Sequence, residues 1–323
     1  MKKNLWALLD DRMGSVGQAK GILQAIGEKM SVTEKKLVYT KWAKLPNFLR
    51  GKSLLGVNQK ESDDLSSPYP DIILSTSRRT LPVARLIKKL SNNQCKIIQL
   101  MHPGNCGIND IDLVILPAHD AKKSNGNNFF TVTGCPHRVN SQVLNIAKEH
   151  WLPMFNHLPK PYISVIVGGA IKGREFSIEN ATLLGKKIRN LHEKIGGSVL
   201  ITTSRRTGSI AQNAIMEEIK NIPMHSFLWG DKKENPYMGY LACADKIIIT
   251  GDSVSMCSEA CGTGRPVLIF EGKNWLSSKH LRFVESLYNG KFAISFDDDD
   301  VLSFVPQQTL NTASTIAKKI LEI

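Results

Sequence analysis

The sequence predicts an α/β protein of two doubly wound domains facing one another across a cleft, and three observations lead there. Short Ile, Val and Leu runs alternate along the chain with segments of helical spacing, the pattern of parallel sheets joined by helical crossovers. The 323 residues exceed one ordinary hydrophobic core and suit two domains of about 150 residues. The pentapeptide TSRRT occurs once in each half, at residues 76–80 and 203–207, closing the apolar runs IILS and VLIT. Such repetition points to two similar units, each presenting a cationic turn at the end of a strand. Two surface turns with the same strand-to-helix punctuation would give the same string.

Taken in order, LWALL (residues 5–9) reads as a fully buried strand, and GQAKGILQAIGEKM after it has helical spacing through Ile22, Ala25 and Ile26. Residues 51–70 are polar, with scattered Ser, Asp and Pro, and read as a loop. DIILST is the next strand. LPVARLIKKL is a helix with Thr80 as its cap and Pro82 in its first turn. CKIIQLM and DLVILP follow as strands, and in the second half PYISVIVGG, GSVLITTS, MHSFLWG, DKIIIT and RPVLIF do the same. Helical stretches fall near 179–192, 209–220, 236–244 and 254–261, with Ser209 and Gln212 as a capping-box pair. The proline-rich HWLPMFNHLPKPY marks the domain boundary, giving an N-terminal domain of 1–157 and a C-terminal domain of 158–323. The last helix, TASTIAKKILEI, is expected to pack back on the N-terminal domain. The acidic run at 297–300 reads as a solvated loop rather than a metal site.

Forty-two Lys and Arg against 29 Asp and Glu give a net charge of +13, which favours anionic partners: nucleotide phosphates or an acidic membrane surface. The basic residues are scattered, with no basic tail, zinc finger or aromatic-plus-basic signature, so nucleic acid is not expected. Six dispersed cysteines form neither a disulfide framework nor a metal-ligand set; Cys257 and Cys261 share a helix face without completing a site. The apolar run near the amino terminus is too short for a signal peptide, and no stretch is long enough to cross a bilayer. The expected location is cytoplasmic, with any membrane contact peripheral on the inner face.

Ligands of open α/β sheets sit beyond the carboxyl ends of the strands, where helix amino termini offer free N–H groups. Three loops suit close approach: DDRMGSVGQ with Gly14 and Gly17, VIVGGAIKGREFS with Gly168 and Gly169, and IIITGDSVSMCSEACGTGRPVLIF. None carries a dinucleotide fingerprint or a P-loop ending, and tight turns explain glycines as readily as phosphates do. In the third loop Asp252, Ser253 and Ser255 can cap the helix that follows or bond an anion. Glu259, farther along, can accept from vicinal ribose hydroxyls or simply face water.

The segment ADKIIITGDSVSMCSEACGTGRPVLIF resembles the nucleotide-binding segment of GT-B glycosyltransferases and UDP-N-acetylglucosamine 2-epimerases. Within that superfamily the chain is most similar to the mitochondrial-fission "elongated mitochondria" family of plants and its bacterial relatives. The strings LLDDRMGSVGQAKGI, LPAHD, VIVGGAIKGREFS, ITTSRRTG, ENPYMGYLACADKIIITGDSVSM and GRPVLIF carry this resemblance across both halves. It implies two Rossmann-like domains in a GT-B-like arrangement and a nucleoside-diphosphate sugar as donor, with no further cofactor. It matches Glu259 to the ribose-binding glutamate, and Ser253, Val254 and Ser255 to the turn at the diphosphate. Gly168 and Gly169 match the glycine turn opening the nucleotide-binding domain. Leu228 and Trp229 lie where related enzymes read the base, and Gly14 and Gly17 match the glycine loop of the amino-terminal domain. On this reading Arg205 and Arg206 neutralise donor phosphates, and Arg78 and Arg79 face the cleft from the acceptor side. One arginine of each pair is expected to turn away toward an acidic neighbour.

Transfer would need a base from the amino-terminal domain. Asp10, Asp11, His102, His119 and Asp120 all follow strands, with Asp11, His102 and Asp120 the leading candidates. Structural roles are open to each: Asp120 can cap a helix, and His119 can satisfy a buried carbonyl. Epimerisation or hydrolysis of the nucleotide sugar is the alternative chemistry. The plant relatives also suggest a non-enzymatic adaptor that recruits a protein partner to a membrane surface.

Overall fold

Strands that are apolar on both sides belong in sheets covered on both sides, and the chain's strand residues divide accordingly. In β1 (Asn4–Leu9) the residues Leu5, Ala7 and Leu9 enter one core while Trp6 and Leu8 enter another. In β7 (Tyr162–Val167) Ile163, Val165 and Val167 face one core and Ile166 faces the other. The computed structural model describes residues 2–104, 106–123 and 126–323. Its strands form two separate six-stranded sheets.

The first sheet contains β1, β2 (Ser31–Lys36), β3 (Ile72–Ser75), β4 (Lys96–Leu100), β5 (Leu113–Pro117) and β6 (Phe129–Val132) in the order β2-β1-β3-β4-β5-β6, every pair parallel. Helix α1 (Met13–Ile26) covers one face, α3 (Leu81–Leu90) covers the other, and a single turn, α2 (Asn47–Arg50), lies in the long connection before β3. The second sheet contains β7, β8 (Ser198–Thr203), β9 (Met224–Phe227), β10 (Lys246–Thr250), β11 (Val267–Phe270) and β12 (Ile294–Ser295), ordered β12-β11-β10-β7-β8-β9 and also parallel throughout. Helices α5 (Ile178–Ile195) and α6 (Ser209–Ile219) pack on one face. On the other lie α4 (Ser141–Phe155), α7 (Tyr237–Cys243), α8 (Val254–Cys261) and α9 (Ser278–Asn289). Strand order reverses between β1 and β3 in the first sheet and between β7 and β10 in the second, and ligands of such sheets gather at these points.

The chain divides into one unit running up to Arg138 and including Asn311–Ile323, and a second unit of Val139–Leu310. The boundary therefore lies before α4, not at 157. Pro153, one of the prolines of the expected boundary segment, sits inside α4. Ala147, Trp151 and Phe155, four residues apart, form a buried stripe; Trp151 stacks on Phe155, and Tyr162 Oη donates to the Phe155 carbonyl at 2.9 Å. Helix α10 (Thr312–Leu321) belongs to the first unit, where Ile316, Ala317 and Ile320 share the core of α1 and β1 and Thr312 Oγ1 donates to the Thr133 carbonyl. Strand β2 carries no apolar run because it is an edge strand whose charges keep that edge from pairing further. Neither expected cap forms: Thr80 Oγ1 bonds within its own turn, and Gln212 accepts from Thr203 Oγ1 while Gly208 precedes α6.

Truncating Ile316 to Ala should lower the stability of the first unit by about 2–5 kcal/mol through the cavity left between α10 and α1. Urea unfolding should show the transition of the first unit moving and that of the second unit staying in place.

Candidate functional site

The two TSRRT turns fold alike. Ser77 N–H donates to Thr80 Oγ1 at 3.1 Å and Ser204 N–H to Thr207 Oγ1 at 3.0 Å. Arg79 N–H donates to Ser77 Oγ and Arg206 N–H to Ser204 Oγ, both at 3.1 Å. Each turn sends its second arginine to a carboxylate on another loop of the same edge, Arg79 to Asp11 after β1 and Arg206 to Asp252 after β10. The first arginines, Arg78 and Arg205, are exposed and make no ion pair among the described residues.

In the second unit the Arg206–Asp252 pair spans the carboxyl end of β7. Asp252 lies 3% exposed and receives the Gly169 N–H at 2.9 Å and an Arg206 Nη1 at 2.7 Å; the same Nη1 also reaches the Ala170 carbonyl at 2.9 Å. Burial pushes the Asp252 carboxyl above its ordinary range, and the Arg206 guanidinium pulls it part of the way back. Gly168 and Gly169 have no side chains because this bridge fills the space. A Cβ on Gly168 would stand 2.2 Å from the Asp252 carboxylate, and one on Gly169, where φ is 149°, would stand 2.1 Å from the Arg206 backbone. The glycines admit an internal salt bridge where a ligand was expected, and Arg206 is spent on that bridge.

Beside the bridge is a cavity of about 380 Å³ at the ends of β7, β8 and β9, lined by Arg205, Trp229, Asp231, Asn235, Tyr237 and Met256 among others. Trp229 is 61% exposed, while its N–H donates to Thr203 Oγ1 and Leu228 N–H donates to Asp231. Two donors expected to read a base are therefore already bonded. Ser253 caps α8, accepting from Met256 N–H, with Val254 half-buried and Ser255 exposed. Glu259 lies on the α8 face of Met256, three residues on, and accepts from Tyr237 Oη. Burial raises the Glu259 carboxyl above its usual 4.5, and the Tyr237 bond opposes that rise. Arg205, Trp229, Met256 and, through Tyr237, Glu259 thus meet at one cavity. Tyr237 and the bridging role of Asp252 were not foreseen; a carboxylate directly after a Gly that ends a strand was the available signal.

In the first unit the candidates lie at the carboxyl ends of β1, β4 and β5. Asp11 is held by Arg79. His102 follows Met101, whose φ of 65° is unusual for a non-glycine residue; its Nδ1 accepts the Gly104 N–H at 3.1 Å, so a neutral ring carries its proton on Nε2. Arg78 reaches toward that loop, with its Cδ 4.0 Å from where a Gly104 Cβ would stand. His119 is buried with Nε2 3.8 Å from exposed Asp120. Gly14 and Gly17 lie in the first turns of α1, and a Cβ on either would meet nothing within 4 Å. Among the described residues no group of three or more His, Cys, Asp or Glu could hold a metal, and no helix is long and apolar enough to cross a membrane.

Two parallel sheets, each with its strand-order reversal and helices on both faces, define a GT-B-like protein of two Rossmann-like domains. Solved structures agree at the level of fold. UDP-GlcNAc 2-epimerase from Methanocaldococcus jannaschii matches with a TM-score of 0.55 at 14% identity, covering 99% of this chain and 100% of its own. MurG from Acinetobacter baumannii matches with a TM-score of 0.53 at 11% identity and the same coverage. The chain belongs to the family described as Mitochondrial fission ELM1, whose model matches residues 13–323. It is 30% identical to an uncharacterized protein of Rickettsia prowazekii over 98% of this chain and 97% of that one. It is 28% identical to the Mitochondrial fission protein ELM1 of Arabidopsis thaliana over 78% of this chain, spanning 64% of that protein's length.

Gly169→Ala should destabilise the second unit by at least about 1–3 kcal/mol, since the backbone it strikes belongs to the bridge. Gly17→Ala, inside a helix with open space, should instead stabilise the first unit by about 0.4–1 kcal/mol. Denaturant titration of both variants checks the contrast.

Proposed function

We propose that this chain binds a nucleoside-diphosphate sugar in its second unit and transfers the glycosyl group to an acceptor. The observation that carries the reading is the shared cavity of Arg205, Trp229 and Tyr237, with Glu259 bonded at its wall. Glu259 would accept from the ribose hydroxyls, exchanging its bond from Tyr237 for them. Arg205, whose guanidinium is not engaged in the bridge, would meet the diphosphate beside the amino end of α8 and stabilise charge as it builds on the leaving group. Trp229 offers a flat apolar face for the base. The net charge of +13 suits an anionic substrate, or an acidic membrane surface that carries the acceptor.

Of the candidate bases, Asp11 is engaged by the Arg79 guanidinium, and His102 presents a donor at Nε2 while Nδ1 is bonded. Asp120 beside His119 is the better placed, because its carboxylate is exposed at the end of β5. The mitochondrial role in the Arabidopsis protein's name would, for this chain, mean a protein partner at a membrane surface. A catalytic site that answers nucleotides is compatible with that.

Thermal denaturation with UDP-, GDP-, ADP- and CMP-sugars tests the reading. One of them at 100 times its dissociation constant should add about 2.7 kcal/mol, and Glu259→Ala should abolish the gain; no response to any nucleotide would overturn the proposal. Ribose hydroxyls bond the ionised carboxylate, so affinity should fall as pH drops through a midpoint above 4.5, the side to which burial moves Glu259. Tyr237→Phe removes the bond that opposes this rise and should carry the midpoint still higher.

A further inference from the structure

The first unit holds a buried guanidinium that the rest of the fold does not satisfy. Arg50 is 1% exposed, and its Nε donates to the Leu55 carbonyl at 2.9 Å. Neither Nη1 nor Nη2 has a hydrogen-bond partner among the described residues. Two neighbouring buried atoms are in the same condition: Tyr39 Oη, whose ring lies 5.9 Å from the Arg50 guanidinium carbon, and Asn47 Oδ1, one helical turn before Arg50. Asn47 Nδ2 donates to the Arg78 carbonyl at 3.0 Å, and the Arg79 guanidinium stands 4.3 Å over the Tyr39 ring. Helix α2, Tyr39 and the first TSRRT turn therefore make one cluster.

Its electrostatics point to an anion. The charged side chains that act on Arg50 are Arg79 and Arg78, both cations. The carboxylates of Asp10 and Asp11 act on Tyr39 and are not among the charges that act on Arg50. Asp11 is taken by Arg79, while Asp10 Oδ1 accepts from Arg12 N–H and its buried Oδ2 has no partner among the described residues. Buried polar groups are paired as a rule, and an unpaired buried charge is strongly unfavourable. A guanidinium fork matches two oxygens of a phosphoryl group, a phenol supplies a third donor, and an amide oxygen can accept from a protonated phosphate oxygen.

We propose that Arg50, Tyr39 and Asn47, with Arg78 at the rim, form an oxyanion site in the first unit that takes a terminal phosphoryl group. The site is independent of nucleotide binding in the second unit. Phe48 and Leu49, on α2 itself, are 66% and 55% exposed, so the phosphoryl group belongs either to a soluble phosphomonoester or to a lipid headgroup.

Tyr39→Phe is the informative variant, because it keeps the ring and removes a hydroxyl that holds no partner in the fold. Without phosphate it should melt no lower than the wild-type chain. In titration calorimetry wild type should bind inorganic phosphate, Tyr39→Phe about tenfold more weakly and Arg50→Lys more weakly still. Because phosphate can also enter the second unit, the series is repeated in the Arg205→Gln background, where the Tyr39→Phe loss should persist. Sedimentation with phosphatidylcholine vesicles, with and without phosphatidic acid, separates the sources. Acid-dependent binding that Tyr39→Phe weakens supports the site with a lipid headgroup; phosphate binding without vesicle binding supports it with a soluble ligand. Equal phosphate affinity in wild type, Tyr39→Phe and Arg50→Lys, or no phosphate binding at millimolar concentration, overturns the proposal.

Discussion

The second unit is organised around one ion pair. Asp252 and Arg206 come from loops after β10 and β8, strands separated by β7, and they meet across the end of that middle strand. The pair is feasible only because two glycines follow β7, and further bonds tie the loops together: Gly169 N–H donates to Asp252, Arg206 to the Ala170 carbonyl, and Ser204 Oγ to the Gly168 carbonyl. A carboxylate this deeply buried is costly unless a cation and several donors receive it. Three loops are thereby fixed relative to one another, and the positions of Arg205 and α8 follow.

The first unit solves a similar problem with the same pentapeptide placed differently in its sheet. Its turn follows β3, a direct neighbour of β1, so Arg79 reaches Asp11 from the adjacent strand with no glycine pair between. Asp11 stays exposed where Asp252 is buried. In both cases the hydroxyls of the turn are bonded within the turn or to the neighbouring strand ends, which holds the backbone in one conformation, and the leading arginine is exposed. A repeated string thus specifies a repeated turn, while the sheet around it decides whether the resulting pair is a rigid bolt or a surface contact.

Much of the fold was legible in the sequence because parallel strands buried on both faces must be apolar throughout: LWALL, IILS and KIIIT announce themselves. β2 did not, since an edge strand is stabilised by its neighbour and needs no apolar run. α4 was hidden by Pro153, a residue that propensity excludes from helices but that the Ala147, Trp151 and Phe155 stripe retains. At the candidate site, residue types and spacing located the loops but not their internal bonds. Nothing in VIVGG or TGDS says that the glycines face the aspartate, because that contact joins segments more than eighty residues apart and is created by strand order alone. Arg50 was equally invisible: a charged residue in a polar connection reads as solvated until the fold closes over it.

Helix α10 has a consequence for how the chain is made. The segment that completes the core of the first unit follows, in sequence, the whole of Val139–Leu310. During synthesis the second unit can therefore finish folding while the apolar flank of α1 still waits for Ile316 and Ile320. The domain translated first is the one sealed last, and a ribosome stalled before codon 312 would hold a mature carboxyl-side lobe tethered to an unfinished one, a natural client for a chaperone.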